Sequence, residues 1–345
     1  MTKAACGASS SRREFGKPGV AGVRGAHVAL FFAGVVFGTA ALGYETDPYT
    51  NRHLDIADST AVLDREVNAA LDAVAAAWEG GENEWRFVNL THRKLGGPWP
   101  VDRLERWAMR SDEVERLPTT RRESMYAQLP IRATRTARFF GFGRTIRLNG
   151  VLIGTDKIGH FFSQGRKFYR RYLRYRDERE AGRRAVLTER LLFGRLMTGI
   201  FSNADLVANY EGYRFYRGLF HDGVVGDRPA LMTWRDGMPE RVGDFTWADH
   251  VNDFWDEALN PNAYSRTFAR HLERWLLGHC EVYLAHPDRF AVPDANALSE
   301  RYAHIGLIDT SELRPDVFFP RHCGFVAEGG RSPALGSALV SPMHR

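Results

Sequence analysis

The chain has 345 residues, of which 44% are hydrophobic and 26% charged, the composition of a globular protein that fills one large domain or two modest ones. The formal net charge of +5 is no argument for nucleic-acid binding: residues 1–43 carry five Lys/Arg against one Glu, and about +1 remains without them. After the N-terminus the longest apolar stretch, Leu191 to Phe201, is short and broken by Arg195, which argues against a membrane span in the body.

The N-terminus reads as an export signal over residues 1–43. Lys3, Arg12, Arg13, Lys17 and Arg24 form a basic region, Val28 to Leu42 is apolar, and small residues follow at Thr39-Ala40-Ala41 and Gly43. That run suits a signal peptide better than a buried helix or an uncleaved anchor. Ser11-Arg12-Arg13-Glu14-Phe15-Gly16-Lys17 resembles the twin-arginine motif, with Gly16 departing from it, and implies export in the folded state.

The expected body, residues 44–328, is a mostly α, single helical domain with a short hairpin and long loops. It opens extended at Tyr44 to Arg52. Asp58-Ser59 reads as an N-cap for a helix over 60–78, with Leu63, Val67, Leu71 and Val74 on one face. Gly80-Gly81 ends it, residues 82–130 are mixed with a short helix near 101–110, and Asn149-Gly150 centres a hairpin over 146–153. Helical segments are expected at 156–180, 186–201 and 203–219, a loop at 222–243, and helices near 247–255, 264–286 and 296–305, with Pro287 as a stop. From Leu307 the pattern is irregular, and residues 329–345 read as a disordered tail.

Cys280 and Cys323 would be the two cysteines of a mature protein. In an oxidising compartment they invite one disulfide, with two buried thiols as the alternative.

The stretch with chemical content is Gly154-Thr155-Asp156-Lys157-Ile158-Gly159-His160-Phe161-Phe162, followed by Ser202 to Gly212. Asp156 and His160 share a helix face, as do Asp205, Asn209 and Gly212. Two such helices meeting at Gly159 and Gly212 would gather a His, two Asp and an Asn, with Lys157 beside them. His160 with Asp156 and Asp205 is a donor set for a divalent metal such as zinc, manganese or iron. Without metal, Asp205 can orient His160 as a base while Asn209 holds a substrate oxygen and Lys157 an anion. Equally, Asp156 can cap its helix and His160 can bond Asp205 as a purely structural clasp.

D-K-x-x-H-F (Asp156, Lys157, His160, Phe161) and then D-x-x-x-N-x-x-G (Asp205, Asn209, Gly212) resembles the VanZ-like and YfiM-like bacterial envelope proteins over about 60 residues. VanZ-like proteins span membranes several times, so the exported YfiM-like group fits this chain better. The resemblance implies an envelope location more than any reaction.

Between Arg132 and Arg195 stand seventeen Lys/Arg against five Asp/Glu. Arg166, Lys167, Arg170, Arg171, Arg174 and Arg176 interleave with Phe168, Tyr169, Tyr172 and Tyr175. This is either a core helix with a solvated basic face or a surface for anionic lipid or another envelope polyanion. An acidic-aromatic patch, Trp247 to Glu257, could answer it within the fold. No H-E-x-x-H, G-x-S-x-G, Walker A or G-x-G-x-x-G occurs. The expectation is an exported periplasmic or envelope protein, with a metal-dependent or His-based hydrolase of lipid or cell-wall material as the alternative.

Overall fold

The Asn149-Gly150 turn is the local feature from which the central elements take their register. Both residues adopt positive φ (51° and 77°), as a tight two-residue hairpin turn requires. They join β3 (Thr145–Leu148) to β4 (Val151–Gly154). Asp58 and Thr60 fasten this turn to the start of α1 (Thr60–Ala76): Gly150 N donates to Asp58 Oδ2 and Asn149 N to Thr60 Oγ1. The computed structural model describes residues 45–97, 101–127, 129, 142–188, 200–291, 294–307 and 312–323. The export signal expected over 1–43 and the tail expected over 329–345 lie outside them.

α1 buries Leu63, Val67, Leu71 and Val74, the stripe its spacing predicts. α2 (Glu84–Leu95) lies where mixed structure was expected. Its N-cap Asn83 accepts from Arg86 N, and Phe87, Thr91 and Leu95 recur every fourth residue on its buried face. α3 (Arg103–Ala108) follows, with a capping box between Asp102 and Glu105. β1 (Glu45–Thr46) pairs in parallel with β2 (Phe142–Gly143).

The segment after β4 is one continuous rod of three pieces: α4 (Asp156–Gly159), a π-turn (His160–Gln164) and α5 (Gly165–Tyr175). Arg176 ends it in the left-handed region, φ 54°. α6 (Glu178–Thr188) follows. The helix expected over 186–201 does not reach its end, since Ile200–Ser202 is strand β5, paired with β8 (Asn262–Tyr264). α7 (Asn203–Gly218) then packs along α5.

Four further expectations are corrected. The loop at 222–243 contains the hairpin β6 (Met232–Arg235) and β7 (Met238–Arg241), turned at Asp236-Gly237 with φ of 52° and 77°, a turn signal as good as Asn-Gly. The 247–255 helix is two single 3₁₀ turns, Trp247–Asp249 and Asp253–Trp255. The 264–286 helix divides at Gly278 into α8 (Arg266–Leu277) and α9 (Cys280–Ala285). After α10 (Ala295–Tyr302), α11 (Pro315–Cys323) forms where irregular chain was expected.

The result is mostly α, with short two-stranded sheets and long loops. One hydrophobic core surrounds Phe161, Phe162, Phe215, Trp247 and Trp255; a second joins Tyr49, Phe268, Leu272, Phe290, Phe318 and Phe319. Among the described residues no helix is long and apolar enough to cross a membrane. Cys280 and Cys323 form the expected disulfide, 43 residues apart in sequence with Cα atoms 5.5 Å apart. It fastens α11 to α9 over the second core.

A crosslink over that loop stabilises by about 4 kcal/mol in the chain-entropy account. Cys280→Ser or Cys323→Ser is therefore expected to lower the denaturation free energy by about 2–4 kcal/mol. Urea unfolding with and without reductant checks this. An unchanged midpoint on reduction would contradict it.

Candidate functional site

Two glycines decide how closely the motif helices approach. A Cβ on Gly212 would lie 1.9 Å from Phe161 O, and one on Gly165 would lie 2.6 Å from Gly212 Cα. No larger residue fits either backbone, so the rod and α7 cross at Gly165 and Gly212. The expected contact at Gly159 is not the crossing: a Cβ there would meet Glu105 Oε2 at 2.5 Å. The π-turn His160–Gln164 separates Gly159 from Gly165.

This crossing brings Asp205 and Asn209 beside Asp156, Lys157 and His160. Asp156 does not cap its helix as one alternative held. Thr46 Oγ1 donates to Asp156 Oδ1 at 2.8 Å, and Lys157 Nζ donates to Asp156 Oδ2 at 2.7 Å. Lys157 Nζ also stands 2.6 Å from Asp205 Oδ1, outside hydrogen-bond angles, and donates to Glu257 Oε2. Lys157 is wholly buried, so its ammonium faces three carboxylates rather than a substrate anion. Burial works against its charge, yet Asp156, Asp205 and Glu257 more than offset this and raise its pKa well above the usual lysine value.

His160 lies at the edge of this cage. Its side chain is 19% exposed and that of Asp205 24%. His160 Nδ1 is 3.0 Å from Asn209 Oδ1 and Nε2 is 3.6 Å from Asp205 Oδ1. Asn209 thus holds the histidine rather than a substrate oxygen. Donation from Nδ1 to Asn209 fixes the ring and directs Nε2 at the carboxylate. Asp156, His160 and Asp205 each offer a ligand atom, all within 4.8 Å of one another.

Titration within the cage is divided. Burial raises the Asp205 pKa, but His160 and Lys157 outweigh it and hold the group below the ordinary value. Glu257 goes the other way: burial first, then Asp205 and Asp156, push it up to about 7 despite Lys157. Thr46 and Glu257 had no signal in the sequence as members of this site, since each is about a hundred residues from Asp156.

A second buried network adjoins it. Ser163 Oγ donates to Asp102 at 2.7 and 2.8 Å, and His92 Nε2 is 3.0 Å from Ser163 Oγ. Burial pushes Asp102 up to about 7 and brings His92 down to about 3. The serine stands between acid and imidazole, so the imidazole does not link the carboxylate to the hydroxyl as a catalytic triad requires.

The basic helix splits by residue. Arg166 turns inward, bonding Asn89 Oδ1 at 2.8 Å beneath Trp85. Arg171 is partly buried, whereas Arg170, Arg174 and Arg176 are exposed. The acidic-aromatic patch does not answer this face. Trp247 and Trp255 are core, Asp256 pairs with Arg52, His250 meets Glu211, and Glu257 enters the cage.

Comparison with protein-family models, curated proteins and solved structures finds no match for this chain.

Asp102 gives a test of the buried electrostatics. Its folded pKa exceeds the unfolded value, so between about pH 4 and 7 the native state retains a proton that the unfolded state releases, and this group's contribution to stability falls as pH rises. Asp102→Asn, which still caps α3, should flatten the pH dependence by up to about 1.4 kcal/mol per pH unit in that window. Wild-type and variant denaturation midpoints from pH 4 to 8 check this. Parallel curves would contradict it.

Proposed function

We propose that the chain is an exported protein of the cell envelope that holds a divalent cation at Asp156, His160 and Asp205. On this reading the ion serves hydrolysis of lipid or cell-wall material. The observation that carries it is the pair of acceptors His160 Nε2 and Asp205 Oδ1, 3.6 Å apart. Two ligands about 2.1 Å from a shared tetrahedral ion stand about 3.4 Å apart. Charge agrees: the three carboxyl groups and one ammonium leave one negative charge in excess when Glu257 is protonated and two when it is ionised, which suits a cation.

When bound, such an ion would lower the pKa of a coordinated water and polarise an ester, amide or phosphoryl oxygen. The chain's own part is to fix the donors. Asn209 sets the histidine ring, Thr46 and Lys157 hold Asp156, and Glu257 takes or releases a proton near neutral pH. The disulfide is compatible with an oxidising compartment, and the YfiM-like motif supports the same location.

Metal content and thermal stability, measured on the wild type, His160→Ala and Asp205→Asn, test this. We expect about one equivalent of zinc or manganese in the wild type and loss of it in both variants, with 10–100-fold weaker metal binding in Asn209→Ala. A metal-free wild type after incubation with either ion, with both variants strongly destabilised, would make the cluster a structural clasp.

A second reading concerns the surface of α5. Arg170, Arg174 and Arg176 are exposed on a helix whose opposite face buries Phe168 and Tyr169, an arrangement suited to an anionic membrane or envelope polyanion. Arg170→Glu with Arg174→Glu should abolish sedimentation with phosphatidylglycerol vesicles at low salt while leaving the melting temperature unchanged. Equal binding by wild type and double variant would reject this surface.

A further inference from the structure

The second hydrophobic core is open on one side, through a cavity of about 530 Å³ beside the disulfide. It falls within the range of small-ligand sites. Its floor is aromatic: Tyr49, Trp275 and Phe319 line it, and Tyr49 and Phe319 are buried. Exposed Arg122 and Arg274 and partly buried His279 also line it, as does the buried His271.

The two histidines are fixed by backbone carbonyls. His271 Nε2 lies 3.0 Å from Met125 O, and His279 Nδ1 lies 2.7 Å from Trp275 O. A carbonyl accepts only, so each of these nitrogens carries the proton and donates. When either ring is neutral, its remaining nitrogen is an acceptor for a hydroxyl. His271 is held below the ordinary histidine value, by burial first and then by Arg274, which keeps that acceptor in place at neutral pH.

The arginines supply the opposite chemistry. Arg122 and Arg274 are exposed and form no ion pair among the described residues. The carboxylate lining this cavity, Glu123, accepts from Thr120 Oγ1 at 2.7 Å. Arg274 Nε donates to Arg270 O at 3.2 Å, so its terminal nitrogens and the guanidinium of Arg122 line the opening with positive charge in excess.

An aromatic floor, imidazole acceptors for hydroxyls and guanidinium donors for an anion together specify one class of ligand. We infer that this cavity binds a small anionic saccharide, a sugar ring bearing a carboxylate or a phosphate. The ring packs on Trp275 and Tyr49, its hydroxyls donate to His271 and His279, and its anionic group pairs with Arg122 and Arg274. This site shares no residue with the proposed cation centre and does not depend on it.

The test is calorimetric titration of the full oxidised chain with glucuronic acid and with glucose 6-phosphate, beside glucose and inorganic phosphate. The two anionic sugars distinguish a carboxylate from a phosphate as the preferred group. At least one should bind about tenfold more tightly than glucose, and Arg274→Ala should remove about tenfold of that affinity. Arg122→Ala should act likewise, and Trp275→Leu should weaken the sugars but not phosphate. Both arginines are exposed, so their variants are expected to keep the wild-type melting temperature. The inference is overturned if neither anionic sugar binds at about 10 mM, if glucose binds equally well, if phosphate alone binds as tightly as the sugars, or if both arginine variants bind unchanged.

Discussion

The burial of one ammonium group organises this molecule. Lys157 has no exposed surface, and removing such a charge from water costs several kcal/mol unless partners replace the solvent. Those partners come from distant segments. Asp156 is its neighbour, Asp205 is on the first turn of α7, and Glu257 lies in the loop after the second 3₁₀ turn. Thr46 joins β1 to the same cage through Asp156. The strand, the rod, α7 and the loop are thus positioned by a common requirement to surround one cation. The β5–β8 pair enforces it from outside, because Ser202 caps α7 and is opposite Asn262, whose amide donates to the Glu257 carbonyl at 2.8 Å.

The parts of this arrangement that follow from local chemistry were legible in the sequence. The stripe of α1, the Asn149-Gly150 turn and the i, i+4 pairs at Asp156/His160 and Asp205/Asn209 each depend on residues within about two turns of one another. The cysteine pair was legible because so few candidates remained. What depends on long-range contact was not. Glu257 reads in the sequence as part of an acidic-aromatic patch answering the basic helix, and only the fold places it against Lys157, a hundred residues away. The π-turn has no periodic signature, and the close helix crossing lies at Gly165 rather than at Gly159. Arg166 has the same composition and spacing as its exposed neighbours, and only Asn89 and Trp85 distinguish it. The strand at Ile200–Ser202 reads as the end of a helix until its partner β8 is known.

Glu211 and Glu257 show how the same buried side chain acquires opposite tendencies. Glu211 is fully buried, and burial alone would raise its pKa, but His250, Arg214 and Tyr302 surround it with donors and hold it below the ordinary value. Glu257 shares one lysine with two aspartates and is pushed up to about 7. The first site has as many donors as its charge requires and ties α7 to the His250 turn and to α10. A purely structural clasp would be expected to resemble it.

The Lys157 cage differs from such a clasp in where its imbalance lies. Its buried side is satisfied: Asp156 has Thr46 and Lys157, and Lys157 has three anionic partners. The excess negative charge is left toward His160, the side chain at the partly exposed edge, whose Nε2 faces Asp205 across 3.6 Å, a gap too long for a hydrogen bond. Interior packing would close such a gap if stability alone had shaped it, since both groups would gain by approach. The cation proposed above would account for the separation, the residual charge and the position at the edge together. On the proposed reading the cage acts outward, and Lys157 is the internal counter-ion that holds the buried Asp205 below its ordinary pKa together with His160.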